Sequence, residues 1–177
     1  MIRLFAALEV PFEIAEALTP LQTGVPGARW RPIDALHVTL RFFGEVSEPM
    51  AEELDEALGR IRQSPFPVQV NGAGAFGELE HMRAVWAGVA PSEPLVRLAG
   101  KCETAARKLG LKGEARAYRP HVTLAYLNHS PEPRVAAWVA QHNLFKPSPW
   151  TADRFGLYSS RLGPDGSRYT LEREYLL

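Results

Sequence analysis

The chain has 177 residues, 46% of them hydrophobic and 23% charged, and its 20 basic and 20 acidic side chains cancel. A formal charge of zero excludes a general polyanion binder, which carries a basic excess, although it leaves room for a local basic groove. This length suits one compact domain, and burying roughly 70% of the unfolded surface needs neither a metal nor a disulfide.

The one cysteine, Cys102, permits no intrachain disulfide. It reads as a small buried apolar residue, and the lack of a cysteine framework fits a reducing compartment. Met1 to Val10 contains Glu9 and no long apolar continuation, so it reads as a first strand rather than a signal peptide. No run of 18 apolar residues occurs, so no membrane span is expected and the expected location is the cytoplasm.

Arg3 to Leu8 reads as a strand, and Pro11 opens a helix over 12–21. Val25-Pro26-Gly27 is a turn. Strands follow at 29–32 and 36–43, the second ending at Gly44. Ser47 is expected to cap an amphipathic helix that reaches Ile61. Phe66 to Val70 and Ala84 to Val89 read as strands, and the glycine-rich stretch 71–77 between them reads as a bend or bulge. That stretch lacks the spacing and the lysine of a phosphate loop. Ser92 is expected to cap a helix reaching Leu109, with Gly110 as its C-cap glycine. Tyr118 to Leu127 is a strand, and Pro131 opens a helix over 135–141. Phe155 to Arg161 and Arg168 to Tyr175 form a hairpin about Gly163-Pro164-Asp165-Gly166. The expected fold class is α+β, with residues 1–177 forming a single bilobal domain. It is a pseudo-twofold duplication of two mostly antiparallel β-sheets, flanked by helices around a central cleft.

The duplication is expected because the tetrapeptide His-Val-Thr-Leu occurs twice, at 37–40 and at 121–124, once in each half. Residues i and i+2 of a strand share a face. His37 and Thr39 therefore point one way, Val38 and Leu40 the other, and His121 and Thr123 repeat the arrangement. If the halves pack about a pseudo-twofold axis, two imidazoles and two hydroxyls converge. Histidine exchanges protons near neutral pH with little tuning. One neutral imidazole takes a proton from a nucleophile and a second, protonated, gives one to a leaving oxygen, each role contributing about 10²–10⁴ in rate. Thr39 and Thr123 are short donors placed for non-bridging phosphate oxygens. A single copy of the motif is ordinary half-buried strand sequence; it is the pairing that points to chemistry.

The two stretches His37-Val38-Thr39-Leu40-Arg41-Phe42-Phe43-Gly44 and Arg119-Pro120-His121-Val122-Thr123-Leu124 resemble the two-histidine (2H) phosphoesterase superfamily. Within it, the chain is similar to the RNA 2′,3′-cyclic phosphodiesterases, also called 2′-5′ RNA ligases. Arg3-Leu4-Phe5, Trp30, and Ser160 to Gly166 followed by Tyr169 extend the resemblance nearly end to end. It implies a bilobal fold and metal-independent opening of a terminal 2′,3′-cyclic phosphate to a 2′-phosphate, with the reverse reaction joining RNA ends through a 2′-5′ bond. Carried onto this chain, it implies His121 as the base that activates water and His37 as the acid that protonates the 3′ oxygen. No metal and no cofactor are expected, and the expected state is a monomer.

One departure is visible: the family often has an arginine two residues after the second motif, where this chain has Tyr126. Arg119, Arg116 or Lys112 could supply that charge. Phe5, Trp30 and Trp86 are the aromatic candidates for stacking on a terminal base, worth about 1–3 kcal/mol per base; Tyr126 is a further substrate-binding candidate. His81, His129 and His142 lack the motif context and read as surface or loop residues. Two rival functions are a phosphodiesterase for small cyclic nucleotides or ADP-ribose cyclic phosphate, and a non-catalytic RNA-end binding module. A zinc hydrolase is a weaker rival, since the motifs bring no Asp, Glu or Cys at ligand spacing.

Overall fold

The computed structural model describes the whole chain, Met1 to Leu177. Strand β1 (Ile2–Glu9) is buried without interruption from Leu4 to Leu8, as a strand covered on both faces must be. Helix α1 (Phe12–Leu18) is shorter than expected, and a single 3₁₀ turn at Thr19–Leu21 follows it. Pro20 has no N–H to extend the helical ladder, and the Thr19 hydroxyl donates to the Glu16 carbonyl at 2.7 Å instead.

Strands β2 (Ala28–Trp30) and β3 (His37–Val46) precede helix α2 (Glu48–Gly59), where the Ser47 hydroxyl accepts from the Met50 N–H as an N-cap does. Then come β4 (Phe66–Val68), β5 (Val70–Phe76), β6 (Ala84–Val89) and α3 (Glu93–Lys108). The C-terminal part holds β7 (His121–Leu127), α4 (Glu132–His142), β8 (Trp150–Ala152), β9 (Arg154–Gly163) and β10 (Gly166–Leu176).

The strands form one antiparallel sheet in the order β10-β9-β1-β3-β7-β6-β5, with β2 also on β7, and a separate pair β4-β8. The large sheet has two halves. β10, β9, β1 and β3 pair along their lengths, as do β5, β6 and β7. The halves meet through one register pair, Val38 opposite Val122. That pair joins the central valines of the two repeated tetrapeptides, so the histidines of both copies lie at the seam.

Helices cover the opposite face. The apolar stripe of α3, Leu95, Leu98, Cys102, Ala105 and Ala106, is buried and packs on β3. Each leucine so buried contributes about 1.5–3 kcal/mol. Cys102 is fully buried, as expected, and burial pushes its thiol up to about 12. Helix α2 packs on α3, β1 and β10, and α4 on β5.

The glycine-rich stretch 71–77 contains the expected irregularity, a register break between Val70 and Ala73, and most of it is paired in strand β5. Two expectations are corrected. Strand β3 does not stop at Gly44 but runs through it with φ +80°. Ser92 precedes α3 without a side-chain capping bond.

Candidate active site

The two motifs adopt the same irregular strand. Ala7 lies opposite Thr39 and Ala6 opposite Arg41, so Leu40 is an extra residue on β3. Trp86 lies opposite Thr123 and Val85 opposite Ala125, so Leu124 is an extra residue on β7. The last residue of each tetrapeptide is therefore a β-bulge, which resets the alternation of side chains. Phe42 and Tyr126 consequently return to the face carrying the histidines and threonines. Burial runs identically in both copies: half-buried His, buried Val, half-buried Thr, two buried residues, then an exposed aromatic.

Each histidine is fixed in the same tautomer by the same local bond. His37 Nδ1 lies 2.8 Å from the Ala35 carbonyl and His121 Nδ1 lies 2.6 Å from the Arg119 carbonyl. A carbonyl only accepts, so Nδ1 carries the proton in each ring, and Nε2 of the neutral ring keeps a free lone pair. The ring of His37 rests on Phe5 at 4.8 Å between centroids and meets Tyr169 edge-on at 5.1 Å. His121 is walled by Phe76 at 4.9 Å and Trp86 at 5.8 Å. Burial holds His37 down to about 4, against the raising effect of its bond to Ala35, and the charges of Arg31 and His121 act with burial. His121 is lowered by the same causes, with Arg119 as its neighbouring cation. Both rings are therefore neutral in the free protein at neutral pH.

Beside His121 lies a depression of about 310 Å³, lined among others by Phe76, Trp86, Tyr118 and Arg119. The Trp86 ring covers Gly74: a Cβ there would come within 2.3 Å of it. Trp86 Nε1 is buried and has no hydrogen-bond partner. Tyr118, which precedes the second motif, donates its hydroxyl to the Thr39 carbonyl at 2.8 Å and so ties the two halves across the seam. No three His, Cys, Asp or Glu side chains converge anywhere in the chain.

His37, His121, Thr39, Thr123, Arg119, Trp86 and Tyr126 thus share one face. Two other candidates are corrected. Phe5 is 3% exposed, so it offers no open ring to a base and serves as the floor under His37. Trp30 pairs with Ala125, one residue out of phase with Tyr126, so it points to the helical face and packs against Trp138 of α4. His81 and His129 are exposed, and His142 lies against Trp138 at the end of α4. Four further neighbours of the histidines, Phe76, Tyr118, Tyr169 and Arg31, have no local motif. Tyr169 alone is signalled, as a supporting residue of the resemblance.

Duplicated strands, each presenting a histidine and a threonine on a common face, define the class as two-histidine phosphoesterases. The chain belongs to the 2′-5′ RNA ligase superfamily, whose profile matches residues 10–164. The RNA 2′,3′-cyclic phosphodiesterase of Archaeoglobus fulgidus is 31% identical over 94% of this chain and 96% of its own length. That of Thermus thermophilus is 32% identical over 99% and 90%. Among solved structures, Escherichia coli LigT complexed with 3′-AMP superposes with a TM-score of 0.81 at 30% identity, covering 99% of this chain and 98% of LigT.

Proposed function

We propose that this protein hydrolyses a terminal RNA 2′,3′-cyclic phosphate to a 2′-phosphate, by two-histidine acid–base catalysis that requires no metal. The single observation that carries this reading is the pair of neutral imidazoles on one face, each with Nδ1–H held by a carbonyl two residues earlier. The names of the relatives support the substrate class.

His121 Nε2 takes a proton from water as its oxygen bonds to phosphorus, in line with the departing 3′ oxygen. The P–O3′ bond breaks, and His37 Nε2–H gives its proton to that oxygen, leaving a 2′-phosphate and a free 3′-hydroxyl. His37 is held neutral in the free protein, so its proton is retained only when the anionic phosphate lies against it. Thr39 and Thr123 donate to the non-bridging oxygens, and Trp86, Tyr126 and Arg119 bind the substrate around them. With an RNA 5′-hydroxyl in place of water as the attacking nucleophile, the same step forms a P–O5′ bond as P–O3′ breaks, and the product is a 2′-5′ linkage. The working unit is one bilobal domain, residues 1–177, acting as a cytoplasmic monomer; no helix of the chain is long and apolar enough to cross a membrane.

A second reading keeps the site and takes a mononucleotide cyclic phosphate; its support is that LigT has been solved with 3′-AMP. One experiment addresses both. A short RNA ending in 2′,3′-cyclic phosphate, and the matching mononucleotide, are incubated with chelator and wild type, His37→Ala or His121→Ala. The expected result is a 2′-phosphate product from the RNA that both substitutions reduce by at least about 10²-fold. Turnover of the mononucleotide alone selects the second reading. No turnover of either, or full activity in both variants, sinks the mechanism.

A further inference from the structure

Two arginines of this chain are buried, and they are treated differently by their surroundings. Arg41, 8% exposed, has a carboxylate partner in Glu103 and gives its other N–H groups to the carbonyls of Phe42 and Lys112. Arg31 is 4% exposed and takes part in none of the chain's ion pairs. A buried guanidinium is rarely left without an anion, because desolvation of an uncompensated charge is costly.

The backbone around Arg31 is pinned. Its N–H donates to the carbonyl of Leu124, the bulge residue of the second motif, at 2.8 Å, and its own carbonyl accepts from the Gln22 side chain at 2.8 Å. Arg31 lies between Trp30, which faces the helices, and Pro32, so alternation puts its side chain on the cleft face. There the guanidinium lies 5.6 Å from the Tyr126 ring centre and 5.3 Å from that of Tyr169. Nη2 donates to the Ser167 carbonyl at 2.8 Å. Nη1 lies 3.1 Å from where a Cβ on Gly166 would stand, so the lack of a side chain there makes room for it. Tyr169, one wall of this cage, is also the edge-on wall of His37. The cation is therefore one ring's width from the proposed acid.

Taking phosphate as the ligand, as the proposed function does, we propose that Arg31 is the cation that holds the cyclic phosphate, its guanidinium taking a non-bridging oxygen while Tyr126 and Tyr169 keep the planar fork in orientation. Approach is across Tyr126, which is 46% exposed. An arginine is suited to this because it matches phosphate geometry and stays charged when desolvated.

The first test uses the wild type. Inorganic phosphate is titrated in while the Arg31 side-chain N–H resonance is followed by NMR. A saturable shift is expected, and its absence overturns the proposal. The second test compares wild type, Arg31→Met and the double variant Arg31→Met, Tyr126→Arg. Loss of one charged hydrogen bond predicts phosphate affinity and kcat/KM reduced roughly 10- to 100-fold in the single variant. Because the two side chains are in contact, an arginine at 126 should restore much of that loss. An unchanged phosphate affinity in Arg31→Met overturns the proposal. So does a loss that Tyr126→Arg fails to restore, which would assign Arg31 to anchoring Ser167 of the hairpin. If Arg31→Met does not fold, the wild-type titration decides alone. A wild type that binds phosphate through Arg31 yet leaves the cyclic RNA end intact would sink the reaction and keep the phosphate site.

Discussion

His37 and His121 differ little in local geometry and share one electrostatic bias: burial and a neighbouring arginine lower the proton affinity of each. The consequence for pH dependence has a definite sign. In kcat/KM, which reports the free enzyme, one ring must be neutral and the other protonated, so both limbs of the bell should lie on the acid side of 6.5, the ordinary histidine value. In kcat the bound phosphate anion favours imidazolium, so the bell should move to higher pH. Full pH profiles of both constants check this; a kcat bell lying below the kcat/KM bell would contradict it. The histidines and threonines were legible in the sequence because the chain repeats them. Arg31 was not, since its significance comes from burial without a carboxylate, a property of three-dimensional surroundings. The resemblance expects charge at 126, and the structure places an aromatic there with an arginine from another strand against it. Phe5 shows the opposite failure. Its position beside the site was legible, but its role depends on a covering that only the packed histidine and tyrosines provide.

At the scale of elements, the strands with alternating or continuous apolar sequence were legible, and Ala84 to Val89 matches β6 residue for residue. The glycines of 71–77 were legible as a bend or bulge, and the register does break between Val70 and Ala73. What the sequence did not show is that Gly74 sits in a paired strand with the Trp86 indole lying across it. Gly74→Ala should therefore push Trp86 off its seat and open the wall beside His121. The expected outcome is a KM for the RNA substrate raised several-fold, together with a stability loss of about 1–3 kcal/mol from overpacking. Steady-state kinetics beside denaturant unfolding separate the two effects; an unchanged KM would show that the wall is not used by substrate. Strand β8 escaped the sequence reading for another reason. It is three residues long among prolines, and it exists because β4 pairs with it. The two bulges escaped as well, since a one-residue slip leaves no mark in composition.

For the whole molecule, the strand order matters more than the strand content. β5 and β6 are near neighbours in sequence, as are β9 and β10, whereas β1 lies between β3 and β9 and so joins the first strand of the chain to one of its last. Long-range pairings close late because the intervening loop entropy must be overcome first. In refolding followed by pulsed hydrogen exchange, amides of the β5–β6 and β9–β10 pairs should gain protection before those of β1. Simultaneous protection would contradict this order. The closing strand carries Phe5, on which His37 rests, and brings that histidine up against Tyr169 of β10. Recovery of activity should therefore trail recovery of the strand signal. A chain can regain nearly all of its secondary structure while His37 still lacks its floor, so the catalytic assay, rather than circular dichroism, is the clock that records when this molecule has finished folding.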